Sequence, residues 1–291
     1  MSSAPGTGHI YDGGYRHYDG PRLGPSSAVR SVMKQTVQRV MGLRRPARSK
    51  VLPFLSVIMA YLPALVFVGV VALLPKQVND GFLPDYAEYY GFITMAIVLF
   101  VLFAAPEALC PDRRSRVLSL YLAAPLTRGT YLLAKAMAVA SVLLLVTLGP
   151  PLLLLIGRGL QGVGPDGPVG FLVIFVRIAG SGVVMALFYT AVSMAVSSLT
   201  DRRAFAAGGT LLAIIGTSIV AGVLVNAMKL SDAWYLANLN VPPLELVGRI
   251  YGVRGGLPEV GTVWVALAVA GWTAGGFAVA FWRYARLRVT R

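Results

Sequence analysis

Apolar residues fall into six long blocks that polar segments separate. In chain order the blocks are Val51–Leu74, Tyr89–Ala105, Leu132–Ile156, Val169–Leu199, Ala204–Met228 and Gly261–Trp282. Because a helix needs about 20 apolar residues to cross a bilayer, each block is a candidate transmembrane span. The second block is short, so its span must include Pro106 to Leu109 or begin before Tyr89. The pattern predicts an all-α membrane protein with six transmembrane helices.

Composition agrees with this class of protein. Of the 291 residues, 56% are hydrophobic and 13% are charged, which is typical of a polytopic membrane protein. The net charge of +14 would also suit a nucleic-acid-binding protein. The cations, however, cluster in particular loops, as membrane topology requires. We therefore expect no nucleic acid among the partners.

The distribution of Lys and Arg predicts the orientation of the chain. Nineteen of the 26 lie in residues 1–50, in the loop after the second block, at residues 201–203 and at residues 283–291. All of these segments are on one side of the predicted membrane, and the other side holds five. Positively charged loops stay in the cytoplasm, so both termini and the loop at residues 107–131 are predicted to be cytoplasmic. We expect a multi-pass protein of a bacterial cell membrane.

The sequence offers little catalytic or metal-binding chemistry. It has one cysteine, Cys110, and two histidines, His9 and His17, in the polar N-terminal segment. It contains no HExxH, no GxSxG and no cluster of Cys and His. We therefore expect neither a catalytic site nor a metal site. The first fifty residues contain no apolar core, so we expect no cleavable signal peptide.

The N-terminal region divides into two parts. Residues 1–25 are rich in Gly, Pro and Ser, and we expect them to be disordered or loosely docked. In residues 26–50 apolar side chains recur at helical spacing, beginning with Val29, Val32 and Met33. A basic amphipathic helix just before a span is typical of the membrane interface. Two roles fit it: a topology anchor, or a lever that moves with the membrane domain at residues 51–291.

The longest external segment is predicted between the fifth and sixth blocks, at Lys229–Val260. It contains Trp234 and Tyr235, and these residue types favour the headgroup region. Short external helices and an irregular loop held by the two aromatic residues fit the pattern equally well.

Arg177 is the only charge that the pattern places deep inside a block. An intramembrane charge marks a functional position or a buried pair, although an arginine at this depth can also extend to the interface. We keep it as a candidate pathway residue or a structural charge. No carboxylate lies within any block, which argues against a proton-coupled transporter.

The loop between the second and third blocks predicts a short helix of its own at about residues 107–124. Asp112 can cap its N-terminus, and Pro125 disfavours its continuation. Arg113, Arg114 and Arg116 would occupy the first turn, where cations are unfavourable against the helix dipole. We therefore expect these three arginines to face an acidic partner.

An apolar ridge follows in the same loop. It consists of Val117, Leu118, Leu120, Tyr121 and Leu122. Either Thr127 or Thr130 can cap the next span. An interfacial helix that only seats the loop would show the same pattern.

The string Pro125-Leu126-Thr127-Arg128, followed by Tyr131 and Lys135, resembles the first cytoplasmic loop of ABC-2 type transporter permeases. The six spans, the cytoplasmic termini and the amphipathic N-terminal helix are similar to that family as well. The resemblance implies that the helix at residues 107–124 is a coupling helix that receives force from an ATPase. The ATPase-coupling residues it implies are Asp112, Arg113, Arg114, Arg116, Leu118, Leu120, Tyr121, Pro125 and Arg128.

One part of the loop departs from the family. Many members carry a Gly-Thr-Leu-Glu-like string in the coupling helix, where this chain has Arg116-Val117-Leu118-Ser119. A glutamate contact to the ATPase is therefore not expected here.

The resemblance also implies partners. The chain contains no GxxxxGK[ST] motif, so ATP and Mg²⁺ are expected on a separate ABC ATP-binding subunit, with no cofactor on this chain. A second copy, or a related permease, would complete the assembly within the membrane lipids. Export is the direction that the family implies. An ATP-independent secondary transporter or channel, and a membrane enzyme or assembly factor, are the alternatives. The residues do not identify the substrate.

Overall fold

The computed structural model describes residues 24–43, 46–73, 84–115, 117, 121 and 126–286, and in these residues it is helical without strands. The α-helices are α1 (Pro25–Val40), α2 (Val51–Leu73), α3 (Tyr86–Arg114), α4 (Arg128–Thr147), α5 (Gly149–Leu160), α6 (Gly167–Leu199), α7 (Arg203–Gly222), α8 (Val241–Ile250) and α9 (Thr262–Ala285). A π turn at Val223–Ala227 continues α7, and 3₁₀ turns occupy Ala47–Ser49 and Asp232–Ala237. Residues 1–23 of the predicted tail at residues 1–25 lie outside the described residues, as do Arg116, Leu118, Leu120 and Pro125.

Six helical stretches of the described chain are long and apolar enough to cross a membrane. They are α2, α3, α4 with α5, α6, α7 with its π turn, and α9. The six-span, all-α prediction is therefore confirmed. The second span extends at both ends, because α3 begins at Tyr86 and continues to Arg114.

Helix ends follow local sequence rules at two of these spans. Asp85 and Glu88 form a capping box at the start of α3. At the start of α4 the Thr127 hydroxyl accepts a hydrogen bond from the backbone N–H of Thr130, as the sequence predicts. Such caps satisfy backbone donors that the first turn leaves free. They therefore mark where these two spans begin.

The third span changes direction at Leu148, which joins α4 to α5. Pro150 and Pro151 follow shortly afterwards and have no backbone N–H. Two carbonyl groups in the last turn of α4 therefore receive no helical hydrogen bond. Gly149 allows close packing there, because a Cβ atom at this position would lie 1.6 Å from the Tyr61 hydroxyl. The break therefore lies where α2 crosses the span.

Helix α3 is the central element of the bundle. In its most apolar window 61% of the residues are buried, against 22% for α2, 17% for α7 and 22% for α9. It packs against α2, α6, α7 and α4, and α9 packs mainly on α6. The fully buried Tyr89, Tyr90 and Phe100 all lie on α3. The exposed apolar faces of α2, α7 and α9 are those available to lipid or to a second chain.

The prediction that a new helix starts at Asp112 is wrong. Helix α3 continues through Pro106 and Pro111 and ends after Arg114, with Ser115 as its C-cap. Each proline removes one backbone hydrogen bond, but burial of Leu109, Cys110 and Asp112 keeps this turn packed in the bundle. Asp112 therefore belongs to the second spanning helix, and residues 107–114 of the predicted coupling helix are its last two turns.

The N-terminal helix is present as α1, and it ends at Val40. Val32, Thr36 and Val40 form its buried face, which packs against α4 and α3. Its apolar stripe is therefore covered by the protein itself. Gly42 then turns the chain with a φ of +65°, and a Cβ atom there would lie 2.6 Å from the Ser49 carbonyl oxygen.

The segment between α7 and α9 also contains short helices, as one reading of the sequence predicts. They are the 3₁₀ turn at Asp232–Ala237 and α8. The Trp272 indole donates a hydrogen bond to the Leu236 carbonyl, at 3.1 Å, and thereby holds this segment against α9.

Candidate functional site

Asp112 is the centre of a buried cluster of polar groups. The residue is 1% exposed. Its Oδ2 lies 2.7 Å from the Lys135 ammonium and accepts a hydrogen bond from the Tyr131 hydroxyl at 2.8 Å. Its Oδ1 pairs with the Arg39 guanidinium. A carboxylate with this little exposure needs such partners, because an unpaired buried charge is strongly unfavourable.

Three helices contribute to the Asp112 cluster. Tyr131 and Lys135 are four residues apart on α4, which places them on the same face of that helix. Asp112 lies in the last turn of α3, and Arg39 lies in the last turn of α1. The cluster therefore joins α1, α3 and α4 at the end of the bundle where the loop between α3 and α4 begins.

The cluster carries one more positive charge than negative charge, because Arg39 and Lys135 share one carboxylate. Partial burial would lower the pKa of Arg39, but its hydrogen bond and attraction to Asp112 outweigh this effect, and the pKa is raised. The guanidinium is therefore always charged. Burial also raises the pKa of the Tyr121 phenol, which consequently stays neutral.

Aromatic rings surround the Lys135 ammonium. It lies 5.9 Å from the ring centroid of Tyr121 and 5.4 Å from that of Tyr131, distances at which a cation is attracted to a ring face. The Tyr131 ring lies 6.1 Å from that of Tyr284 on α9. Arg128 hydrogen-bonds to the carbonyl of Ala285, the last residue of α9. The start of α4 is thus tied to the end of the sixth span as well.

Arg113 faces a different neighbour. Its guanidinium donates to the carbonyl oxygens of Ser198 and Thr200, the second at 3.0 Å, and these carbonyls lie at the C-terminal end of α6. A cation is favourable at this end of a helix because the last carbonyls carry partial negative charge. Arg113 is therefore occupied within the chain, whereas Arg114 is exposed.

A further ion pair joins α3 to α7. Glu107 lies 2.5 Å from Arg203, the first residue of α7. Together with the contact of Arg113 to the end of α6, it holds the turn between α6 and α7 against the last turns of α3. The three helices are therefore linked at the same end of the bundle as the Asp112 cluster.

The predicted site residues separate into three groups. Asp112 and Tyr121 meet at the cluster, Arg113 and Arg128 bind helix-terminal carbonyls, and Arg114 is exposed. Arg116, Leu118, Leu120 and Pro125 lie outside the described residues. Sequence reasoning missed Arg39 and the pairing role of Lys135. Lys135 carried a signal, because an ionisable side chain inside a span calls for a partner.

Arg177 lies far from the Asp112 cluster. It is half-buried on α6, next to Ile178, whose carbonyl accepts a hydrogen bond from Tyr90 near the other end of α3. Among the described residues, no carboxylate forms an ion pair with it. The prediction that Arg177 is the only charge deep in a span is wrong, since Lys135 is 2% exposed within the third span.

A second buried ion pair lies at the end of the bundle opposite the Asp112 cluster. Glu245 and Arg249, four residues apart on α8, are 3.0 Å apart and nearly without exposure. The Arg249 guanidinium also donates to the Leu257 carbonyl at 2.8 Å and to the Thr262 hydroxyl at 3.1 Å. This pair fastens α8 to the start of α9.

Comparison with known families gives one result that covers most of these elements. The family described as ABC-2 family transporter protein matches residues 71–282. The match includes Asp112, Tyr131 and Lys135, and it begins after Arg39. No curated protein matches the chain.

Proposed function

The chain belongs to the ABC-2 transporter family, and on that premise we propose that it is the permease subunit of an ATP-driven exporter. Membership makes it a multi-pass membrane transport protein. The proposal adds a separate ATP-binding subunit that binds ATP and Mg²⁺, and export as the direction. It also adds a second copy of the chain, or a related permease, to complete the assembly.

The Asp112 cluster is the observation that carries this proposal. The loop between α3 and α4 leaves from Asp112 on one side and returns at Tyr131 and Lys135 on the other. Tyr121, within the loop, lies over the Lys135 ammonium. A force applied to this loop would therefore reach α3, α4 and α1 through one set of short polar contacts. A rigid link of this kind is what a permease driven by a separate motor subunit requires.

The surface offered to the ATP-binding subunit is narrower than the sequence suggests. Arg113 is occupied by the end of α6, so we assign the first docking contact to the exposed Arg114 and Ser115. From the sequence alone we add Arg116, Leu118 and Leu120, which lie outside the described residues, to the proposed docking contacts. Asp112 and Arg128 transmit force in this scheme and do not touch the partner. The distribution of Lys and Arg supports a cytoplasmic position for the loop.

A groove between α3 and α7 supports a transport pathway. It has a volume of about 760 Å³, and its lining is mainly apolar, with Thr94, Ser218 and Asn240 as polar groups. The lining helices leave it open at the surface of the bundle. We propose that a second permease covers it and that the substrate crosses between the two subunits.

The test of this proposal is purification of the full chain from its own cells in a mild detergent, with identification of co-purifying proteins that carry Walker motifs. The complex is then reconstituted in vesicles, and ATP hydrolysis is measured for the wild type and for Arg114→Glu. We expect an ATPase to co-purify and its yield to fall in the variant. Solute movement that proceeds with the purified chain alone, without ATP, would favour the secondary-transporter or channel alternative.

A further inference from the structure

A polar cavity opens beside the Asp112 cluster, between α1 and α4. Its volume is about 290 Å³, and its walls include Gln35, Gln38 and Arg39 of α1, Lys135 of α4 and Tyr121. Because one water takes up about 30 Å³ in the liquid, the cavity has room for a tetrahedral anion with some of its hydration. The walls are mostly polar.

The charges around the cavity favour an anion. Arg39 and Lys135 both border it, and Asp112 compensates one of the two positive charges. Among the described residues that line the cavity, none is acidic. A further carboxylate, Glu107, attracts both cations but forms an ion pair with Arg203. One uncompensated positive charge therefore borders a space that no side chain of the described residues fills.

Hydrogen-bond donors are also available there. A guanidinium carries five N–H groups and an ammonium carries three. Arg39 contacts Asp112 through one of its nitrogens, and Lys135 contacts it through its ammonium, so N–H groups of both side chains remain for another acceptor. The amides of Gln35 and Gln38 add neutral donors. A planar guanidinium beside an ammonium is a combination that suits phosphate oxygens.

The cavity lies at the depth of phospholipid headgroups. Helix α3 has 29 residues and is about 43 Å long at 1.5 Å per residue. Since the hydrocarbon core is about 30 Å thick, the ends of α3 extend into the headgroup layer. Asp112 is in the last turn of α3, and the cavity adjoins it.

We propose that this cavity binds a phosphate group, and that the source at this depth is the headgroup of an anionic phospholipid. The bound phosphate supplies the second negative charge for Arg39 and Lys135, and it holds α1 against α4. Anionic lipid thereby stabilises the junction between the N-terminal helix and the bundle. This inference depends on membrane insertion and does not depend on the proposed ATPase partner.

The test compares nanodiscs of phosphatidylcholine with nanodiscs to which phosphatidylglycerol is added in steps. The melting temperature of the full chain and the lipid retained in native mass spectrometry are both measured. A second arm adds inorganic phosphate to the phosphatidylcholine nanodiscs. Gln35→Glu places a carboxylate four residues before Arg39, where it competes for the guanidinium. Gln38→Glu is a second variant on the same wall.

The matched control is Lys34→Gln, which alters the net charge by the same amount at an exposed neighbour that does not line the cavity. We expect phosphatidylglycerol to raise the melting temperature of the wild type and of the control. In Gln35→Glu the apparent affinity for phosphatidylglycerol should fall at least about tenfold, because the new carboxylate and the lipid phosphate are like charges within about 5 Å of each other. Each variant in phosphatidylcholine alone serves as its own baseline.

The outcomes separate the possible sources. If inorganic phosphate alone reproduces the stabilisation and Gln35→Glu removes it, the site binds a soluble phosphate and the lipid assignment is replaced. If the glutamate variants respond to phosphatidylglycerol like the wild type, the proposal is overturned. It is also overturned if Lys34→Gln loses the response to the same extent, or if the wild type responds to neither ligand.

Discussion

The Lys135 ammonium lies 2.7 Å from Asp112, and both side chains are almost completely excluded from solvent. Lys135 belongs to the third span and Asp112 to the second. The pair therefore joins two transmembrane helices at the point where the loop between them begins. Arg39 also binds Asp112. Asp112 therefore pairs with two cations, whereas Lys135 pairs with Asp112, and the loss of either residue should have a different effect.

Asp112→Asn is expected to be far more damaging than Lys135→Met. The first change leaves the buried Lys135 and the partly buried Arg39 without an anion, and a broken buried ion pair costs on the order of 3–5 kcal/mol. The second change leaves Asp112 paired with Arg39. Melting temperatures in one detergent check the order. Asp166→Asn, at an exposed acid, is the control, and equal losses for Asp112→Asn and Lys135→Met would contradict the shared-carboxylate arrangement.

Arg113 and Arg114 are neighbours with opposite expected phenotypes. Arg113→Gln removes the donor to the carbonyls of Ser198 and Thr200, so we expect a loss of stability of about 1–3 kcal/mol. Arg114→Gln should leave the melting temperature unchanged and weaken association with the ATP-binding subunit. Thermal unfolding and co-purification yields, measured on both variants, provide the comparison. A destabilised Arg114→Gln would argue against its exposed position.

Cysteine labelling tests the orientation of the loop. Ser115 is exposed directly after α3, and the native Cys110 is completely buried. We expect Ser115→Cys to react with a membrane-impermeant maleimide only when the cytoplasmic side is accessible. Gly256→Cys, at an exposed position between α8 and α9, should react from the outside. Unmodified protein reports the background from Cys110, and reversed labelling of the two variants would invert the topology.

Gly42→Ala tests how α1 is joined to the first span. The residue has a φ of +65°, and an added Cβ atom would lie 2.6 Å from the Ser49 carbonyl oxygen. A side chain is strained in this conformation by roughly 1–2 kcal/mol, so α1 should detach more easily from α4. Proteolysis between α1 and α2, followed by gel electrophoresis, measures this opening. Gly24→Ala, where nothing lies within 4 Å, is expected to behave like the wild type.

Much of the helical bundle can be derived from local sequence, but the contacts of the Asp112 cluster cannot. Hydrophobic blocks predict spans because a bilayer imposes length and polarity on each helix separately. The Thr127 cap is equally local. Asp112, in contrast, precedes Tyr131 by 19 residues and follows Arg39 by 73, and periodicity says nothing about such contacts. Local sequence therefore predicts a cap at Asp112, because the partners of this residue are distant in the sequence.

The two prolines of α3 illustrate the same limit. By local rules, Pro111 next to Asp112 favours a helix start. In the bundle, Leu109 and Cys110 are fully buried, and the packing of this turn outweighs the missing backbone hydrogen bond at Pro111. Arg113 could likewise be recognised as a cap of α6 only once the ends of α3 and α6 are known to meet.

The separation of Arg39 from its partners also has a consequence for biosynthesis. The ribosome makes Arg39 before its partners, because the carboxylate that binds it emerges 73 residues later and Lys135 emerges later still. Helix α1 therefore cannot form its ion pair with Asp112 until α2 and α3 have been synthesised. The docking of α1 through this pair thus follows the synthesis of two spans that come after it in the chain.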